Sequence, residues 1–209
     1  MEDVRPVSDV AFTAMVKQFQ ERNGSREAYA KMEQRGGWSN LITPQLADFI
    51  SKQNSLYLGT VNSEGQPYIQ HRGGPRGFLK ILDNRTLGMA DFRGNRQFIS
   101  QGNLSENSKA FIFLMDYANR RRIKIWGEAW MVENDHALLE ALMPEGYAAA
   151  PERVLLFKLT AWDPNCPQHI PRKIDADEVD TQLDEKDAQI AALQQQIELL
   201  KQRIARATG

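Results

Sequence analysis

From Ser55 onward the chain breaks into short segments of apolar and β-branched residues separated by turn formers, and this punctuation constrains the fold more than any other feature. Ser55 to Val61, Pro67 to Arg72, Phe78 to Leu82 and Thr86 to Asp91 are divided by Ser63-Glu64-Gly65, by Gly73-Gly74-Pro75 and by Asp83-Asn84. Strands of this length between such turns predict an antiparallel meander. Lys109 to Tyr117 and Arg122 to Glu133 predict a long hairpin around Ala118-Asn119-Arg120, and Arg153 to Ala161 alternates as a final strand. Six or seven such strands suit a closed or partly split barrel, because closure removes edges that would otherwise pair with other chains. Short helices are predicted at Gln97 to Gln101 and, amphipathic and stopped by Pro144, at Asp135 to Met143.

The flanks of this region read differently. Asp9 to Glu21 carries Val10, Phe12, Met15, Val16 and Phe19 at helical spacing, and Ser25 to Glu33 predicts a second helix after Asn23-Gly24. Thr43-Pro44 has the form of an N-cap with proline in the first turn, opening a helix through Phe49 and Ile50. After Pro171, Val179, Leu183, Ile190, Leu193, Ile197, Leu200 and Ile204 fall at a and d positions of a heptad, with Lys186 as the one polar intruder. That pattern predicts a coiled coil, and Ile at a with Leu at d favours two parallel strands; a packed surface helix is the alternative. The fold class is therefore α+β and mainly β: N-terminal helices, a six- to seven-stranded antiparallel split barrel, and a C-terminal coiled-coil helix.

Composition excludes several functions. With 26 basic and 27 acidic residues the chain has no global pull toward nucleic acid or an anionic membrane, so any anion site is local. No apolar run approaches the roughly 18 residues of a membrane span, and no leader pattern opens the sequence. Cys166 is the only cysteine, which precludes an intrachain disulfide and fits a reducing compartment, so cytoplasm is the expected location. The three histidines, His71, His136 and His169, make no metal-ligand spacing, and no nucleophile, base and orienting group assemble into a hydrolytic triad.

The densest chemistry runs from Gln70 to Asn103. Gln70-His71-Arg72-Gly73-Gly74-Pro75-Arg76 ends one strand, and Asp91-Phe92-Arg93-Gly94-Asn95-Arg96-Gln97 ends another before a helix. Glycine lets backbone N–H groups approach a ligand, arginine presents a planar fork to phosphate oxygens, and a helix start adds partial positive charge. Four arginines at these two strand ends, Arg72, Arg76, Arg93 and Arg96, in a near-neutral protein, mark a phosphate site. Neither a Walker segment nor a Gly-x-Gly-x-x-Gly turn is present, which argues against a nucleoside triphosphatase or a Rossmann enzyme.

Taken together, these segments resemble the pyridoxamine 5'-phosphate oxidase-like, FMN-binding split-barrel family over roughly residues 30 to 172. The resemblance rests on Tyr68 to Gly74, Gly77-Phe78-Leu79-Lys80, Asp91 to Gln97 leading to Gly102-Asn103-Leu104, Met115-Asp116-Tyr117, Arg122 to Gly127, and Asn165-Cys166-Pro167-Gln168-His169-Ile170. Together with the segment readings above, it divides the chain into residues 1–54, a helical segment packed on the barrel, 55–172, the FMN-binding split-barrel domain, and 173–209, the coiled-coil helix. It also implies a homodimer with FMN at the subunit interface. Arg72 is then expected on the FMN phosphate with its neighbours Gln70, His71 and Gly73; Arg93, Asn95, Arg96 and Gln97 supply the strand-to-helix turn. Asp91 and Phe92 are expected along the ribityl chain or flavin edge, and Trp126 in the pocket of the other subunit. The oxidase itself has lysine after the arginine of that turn, where this chain has Gln97, and its terminal substrate-gripping strand is replaced here by helix.

The function implied is FMN-dependent oxidoreduction, with hydride moving between flavin N5 and a small substrate or reduced nicotinamide, and oxygen as acceptor. The alternative is a non-catalytic flavin or small-ligand sensor whose coiled coil signals to a partner. Heme binding, known for relatives of this fold, finds no compelling axial ligand among the histidines.

Overall fold

Alternation of apolar and polar residues along the turn-separated segments yields seven strands among the described residues. They are β1 (Ser55–Val61), β2 (Pro67–Gly73), β3 (Lys80–Ile81), β4 (Thr86–Phe92), β5 (Lys109–Asp116), β6 (Arg121–Val132) and β7 (Pro151–Asn165). The structure is a computed structural model that describes residues 5–165 and 167–208. All pairings are antiparallel, in the order β2-β1-β5-β6-β7-β4-β3. Buried residues alternate along β1, β5 and β6, and Leu58, Ile112, Ile125, Phe157 and Leu87 from five different strands share one apolar cluster. The sheet therefore curls around a single core, and its two ends, β2 and β4-β3, meet across an open seam: the split barrel expected from the sequence.

Two irregularities shape the sheet. At Trp126/Gly127 the register of β6 on β7 slips, so that Trp126 faces Ala161 and Gly127 faces Leu159. Here Gly127 is obligatory: a Cβ on it would lie 2.3 Å from the Lys158 carbonyl oxygen and 2.5 Å from the Phe157 ring. The second slip lies between Asp91 and Phe92, which face Arg153 and Pro151 and leave Glu152 outside the register. Bulges of this kind re-aim side chains next to functional sites.

The helices are α1 (Ala14–Arg22), α2 (Arg26–Gln34), α3 (Pro44–Ser51), α4 (Ile99–Glu106), α5 (His136–Leu142) and α6 (Ala176–Thr208). Thr43 caps α3 by accepting the Leu46 N–H at 3.3 Å, as its sequence predicts, and Leu46, Phe49 and Ile50 enter the core from this helix. Burying each such side chain stabilises the fold by about 1.5–3 kcal/mol. The helix predicted from Asp9 to Glu21 is instead split into a 3-10 turn at Val7–Val10 and α1, because Thr13 accepts the Val16 N–H and starts a new helix. β3 has only two residues where five were expected, since Phe78 and Leu79 turn inward into the core. α4 begins two residues later than predicted and runs on to Glu106.

The N-terminal helices attach through aromatic rings on the outside of the sheet. Phe12 packs on Trp38 at 5.1 Å, and Trp38 stacks on Trp126 at 4.8 Å and 18°. At the other end α6, 33 residues long, leaves the barrel where Arg76 pairs with Asp175 at 3.3 Å and Glu178 at 2.6 Å. No helix among the described residues is long and apolar enough to cross a membrane.

Candidate functional site

The seam between the two ends of the sheet is bridged by charge. Arg72 near the end of β2 forms an ion pair with Asp91 near the end of β4, two strands that are not neighbours in the sheet. Asp91 also faces Arg153, the residue opposite it on β7, with Arg153 Nε 3.4 Å from the second carboxylate oxygen. Two nearly buried guanidinium groups thus share one carboxylate. Arg153 is further held by Glu152 at 2.6 Å, Glu133 at 3.7 Å and the Gln101 side-chain oxygen.

The arginine cluster is electrostatically costly. The Arg72 guanidinium is pushed down to about 10, first by burial and then by the positive charge of Arg153, with Tyr68 opposing. The Nε atoms of both Arg72 and Arg153 are buried and make no hydrogen bond within the described chain. Arg72 Nη2 donates to Gln70 Oε1 at 3.0 Å, and the Ser100 hydroxyl donates to the same oxygen at 2.7 Å.

This network lines a cleft whose other wall is the turn before α4. Asn95 accepts the Gln97 N–H at 3.2 Å, and Arg96 and Phe98 take left-handed backbone conformations at φ 61 and 56. Such conformations cost about 1–3 kcal/mol each in residues with side chains and persist only where surroundings impose them. The Phe98 ring lies between two cations, 5.7 Å from Arg96 Cζ and 5.2 Å from Arg153 Cζ. No side chain caps the start of α4, whose first residues Ile99, Ser100 and Gln101 line the cleft. Uncapped N–H groups at a helix start beside arginine form an anion site. The donor set fits the phosphate of a nucleotide cofactor such as FMN: Arg72, Arg96, Asn95, Gln97, Ser100 and the open turn of α4 would hold it.

Of the residues expected from the sequence, the cleft is lined by Gln70, Arg72, Asp91, Phe92, Asn95, Arg96 and Gln97. His71, Gly73, Arg93 and Trp126 lie outside it. His71 points to the opposite face of β2, where it meets the Tyr57 ring at 5.6 Å. Gly73 lies against Asn54 at the strand end, and Arg93 turns outward toward Glu152 at 3.8 Å. Trp126 belongs to the aromatic stack with Trp38 and Phe111, with Lys124 5.5 Å above its ring. His136 opens α5 and His169 is exposed, so the described histidines do not converge, and no cluster of metal-ligating side chains occurs among the described residues. Cys166 lies outside the described residues.

Sequence reasoning missed Tyr68, Ser100, Gln101, Glu152 and Arg153. Only Tyr68 carried a signal, as the residue two before Gln70 on the same face of β2. Arg153 lies 62 positions along the chain from Asp91, and only strand register brings the two together.

An antiparallel split barrel with a cationic cleft at its seam is the class of protein these observations define. The chain belongs to the pyridoxamine 5'-phosphate oxidase family, whose model matches residues 42–166, more than half of its length. That match contains the whole cleft and excludes α1, α2 and α6. Among solved structures, HupZ of Group A Streptococcus is 20% identical with a TM-score of 0.49, over 64% of this chain and 99% of that one. A putative pyridoxamine 5'-phosphate oxidase of Lactobacillus delbrueckii is 18% identical, with a TM-score of 0.47 over 60% and 95% of the two chains. An FMN-binding protein of Syntrophomonas wolfei is 14% identical, with a TM-score of 0.45 over 70% and 97%. No curated protein matches the chain.

Proposed function

We propose that the seam cleft holds the phosphate of FMN and that the protein is a flavin-dependent oxidoreductase acting on a small molecule. The observation that carries this reading is the pair of buried arginines sharing one carboxylate, with neither Nε making a hydrogen bond, beside an uncapped helix start. Positive charge held out of water at a cost is relieved by an anion. The bound flavin supplies hydride chemistry at N5. The chain's own part is to anchor: Arg72 and Arg96 neutralise phosphate charge, Ser100 and Asn95 orient it, and Asp91 keeps Arg72 and Arg153 from drifting apart.

A homodimer completes the reading. The outer face of β2, β1 and β5 presents Tyr57, Ile69, Phe111, Phe113 and Tyr117 as an apolar concavity, with Ile69 69% exposed. A second copy on this face would cover it. The single cysteine fits a cytoplasmic setting.

The test is an absorption spectrum of purified protein incubated with FMN and passed over gel filtration, followed by reduction with a nicotinamide donor and reoxidation in air. Co-eluting flavin bands are expected. Arg72→Met or Arg96→Ala should weaken FMN binding roughly 10- to 100-fold, since a hydrogen bond to a charged group contributes about 1.5–3 kcal/mol. A protein that ignores FMN sinks the proposal. A second reading, flavin binding without catalysis, is favoured by one observation: Asp91 and Glu152, the carboxylates lining the cleft, are both ion-paired with Arg153. Bound flavin that no donor bleaches would select it.

A further inference from the structure

The heptad stripe of α6 is uncovered in the single chain: Val179, Leu183, Ile190, Leu193, Ile197 and Leu200 are 39–57% exposed. The helix also carries a charge gradient. Residues 177–187 hold Asp177, Glu178, Asp180, Asp184, Glu185 and Asp187 against the one cation Lys186, whereas Lys201, Arg203 and Arg206 follow Glu198 at the far end. Residues 188–197 between these blocks are uncharged. Lys186 occupies a d position in the stripe, where its Nζ donates to Gln189 Oε1 at 3.2 Å.

We propose that α6 pairs with α6 of a second copy of this chain as an antiparallel two-stranded coiled coil. Apolar spacing alone favours parallel strands, but charge opposes that arrangement. In-register parallel helices would set Lys186 against its own copy in the seam, and the acidic block against the same acidic block. Reversing one helix removes both conflicts. With the helices centred between residues 191 and 192, Leu183 meets Leu200 of the second copy, Ile190 meets Leu193, and Lys186 meets Ile197. Asp180 then comes beside Lys201 of the second copy, and Asp177 comes level with Arg206. The helix dipoles, parallel-opposed in this arrangement, add to the attraction. The occupant is a second copy because the stripe and the gradient are complementary to themselves only when reversed. The pairing stands or falls independently of flavin binding.

Disulfide trapping in the full chain, with Cys166→Ser as background, reads the orientation directly. In an antiparallel pair the double variant Leu183→Cys/Leu200→Cys cross-links two chains, and neither single variant does. Positions 183 and 200 are roughly 25 Å apart along one helix, too far for an internal bridge. The double variant should link at least about tenfold faster than the outward-facing Gln202→Cys, because pairing raises the effective thiol concentration. Single variants that link as fast as the double one would establish parallel strands and overturn the proposal. Absence of linking above the Gln202→Cys rate would overturn pairing altogether. A spin label at Gln202→Cys leaves the seam intact: the axial offset of about 31 Å combined with roughly 15 Å across the pair puts the labels about 35 Å or more apart in the antiparallel pair, and a separation under about 30 Å contradicts it.

Discussion

Arg153 holds three carboxylates and a glutamine from a position that is almost fully buried, and this makes it the residue on which the cleft's geometry most depends. Removing one partner of a buried ion pair leaves the others uncompensated and costs about 3–5 kcal/mol. Arg153→Met should therefore lower the unfolding free energy by about 3–5 kcal/mol, measured as a fall in the urea midpoint at unchanged slope. A contrasting residue is Asp83, exposed, whose carboxylate accepts the Arg85 N–H at 2.7 Å and the Thr86 N–H at 2.8 Å in the turn before β4. The Arg85 N–H first, and Thr86 with it, holds this carboxyl below its ordinary value. A native pKa below the unfolded value of about 3.9 means a stabilising contribution that is full above that pH and is lost as pH falls through the native value. The stability difference between the wild type and Asp83→Asn should thus be constant from neutral pH down to about pH 5 and shrink as the pH falls below the unfolded value of about 3.9, as urea titrations at each pH would show.

At the scale of elements, the bulge between β6 and β7 depends on the missing side chain of Gly127. A Cβ there would meet the Lys158 backbone, which cannot swing aside as a side-chain tip could. Gly127→Ala should destabilise by about 1–3 kcal/mol or abolish the local register, visible as lost amide protection along β6 and β7. Two helix starts were legible from their side-chain caps, Thr43 and Asp135, whose oxygens accept the Leu46 and Leu138 N–H groups, whereas the cap at Thr13 was hidden inside the apolar run from Val10 to Phe19. The start of α4 was misplaced because no side chain caps it: the residue before it, Phe98, reaches a left-handed conformation that its own type disfavours. The missing local signal falls where the cleft needs open N–H groups.

For the whole molecule, the seam and the outer sheet face have separate roles. The seam gathers charge, and the apolar face around Tyr57, Ile69 and Phe113 collects exposed carbon. If that face is covered by a second copy, Ile69→Glu should weaken self-association in sedimentation at micromolar concentration, leaving only the contact made by α6, because burying an unpaired carboxylate costs several kcal/mol. The same change should leave the seam intact, since Ile69 points away from the core while its neighbours Tyr68 and Gln70 line the cleft.

Six of the seven strands, the α3 cap and the heptads of the last helix follow from the sequence alone, because turn chemistry, period-2 alternation and capping act between residues a few positions apart. So does the concentration of arginine between Arg72 and Arg96. The tertiary structure decided which of those side chains meet. Curling the sheet brings β2 to β4 and so joins Arg72 to Asp91, while the β4–β7 register delivers Arg153. The two-residue period sends His71 to the outside one step from Arg72, and the packing of Trp38 claims Trp126 for the aromatic stack. Local rules name the strands and the charges; only closure of the barrel, driven by burial of one shared core, determines which charges share a cleft.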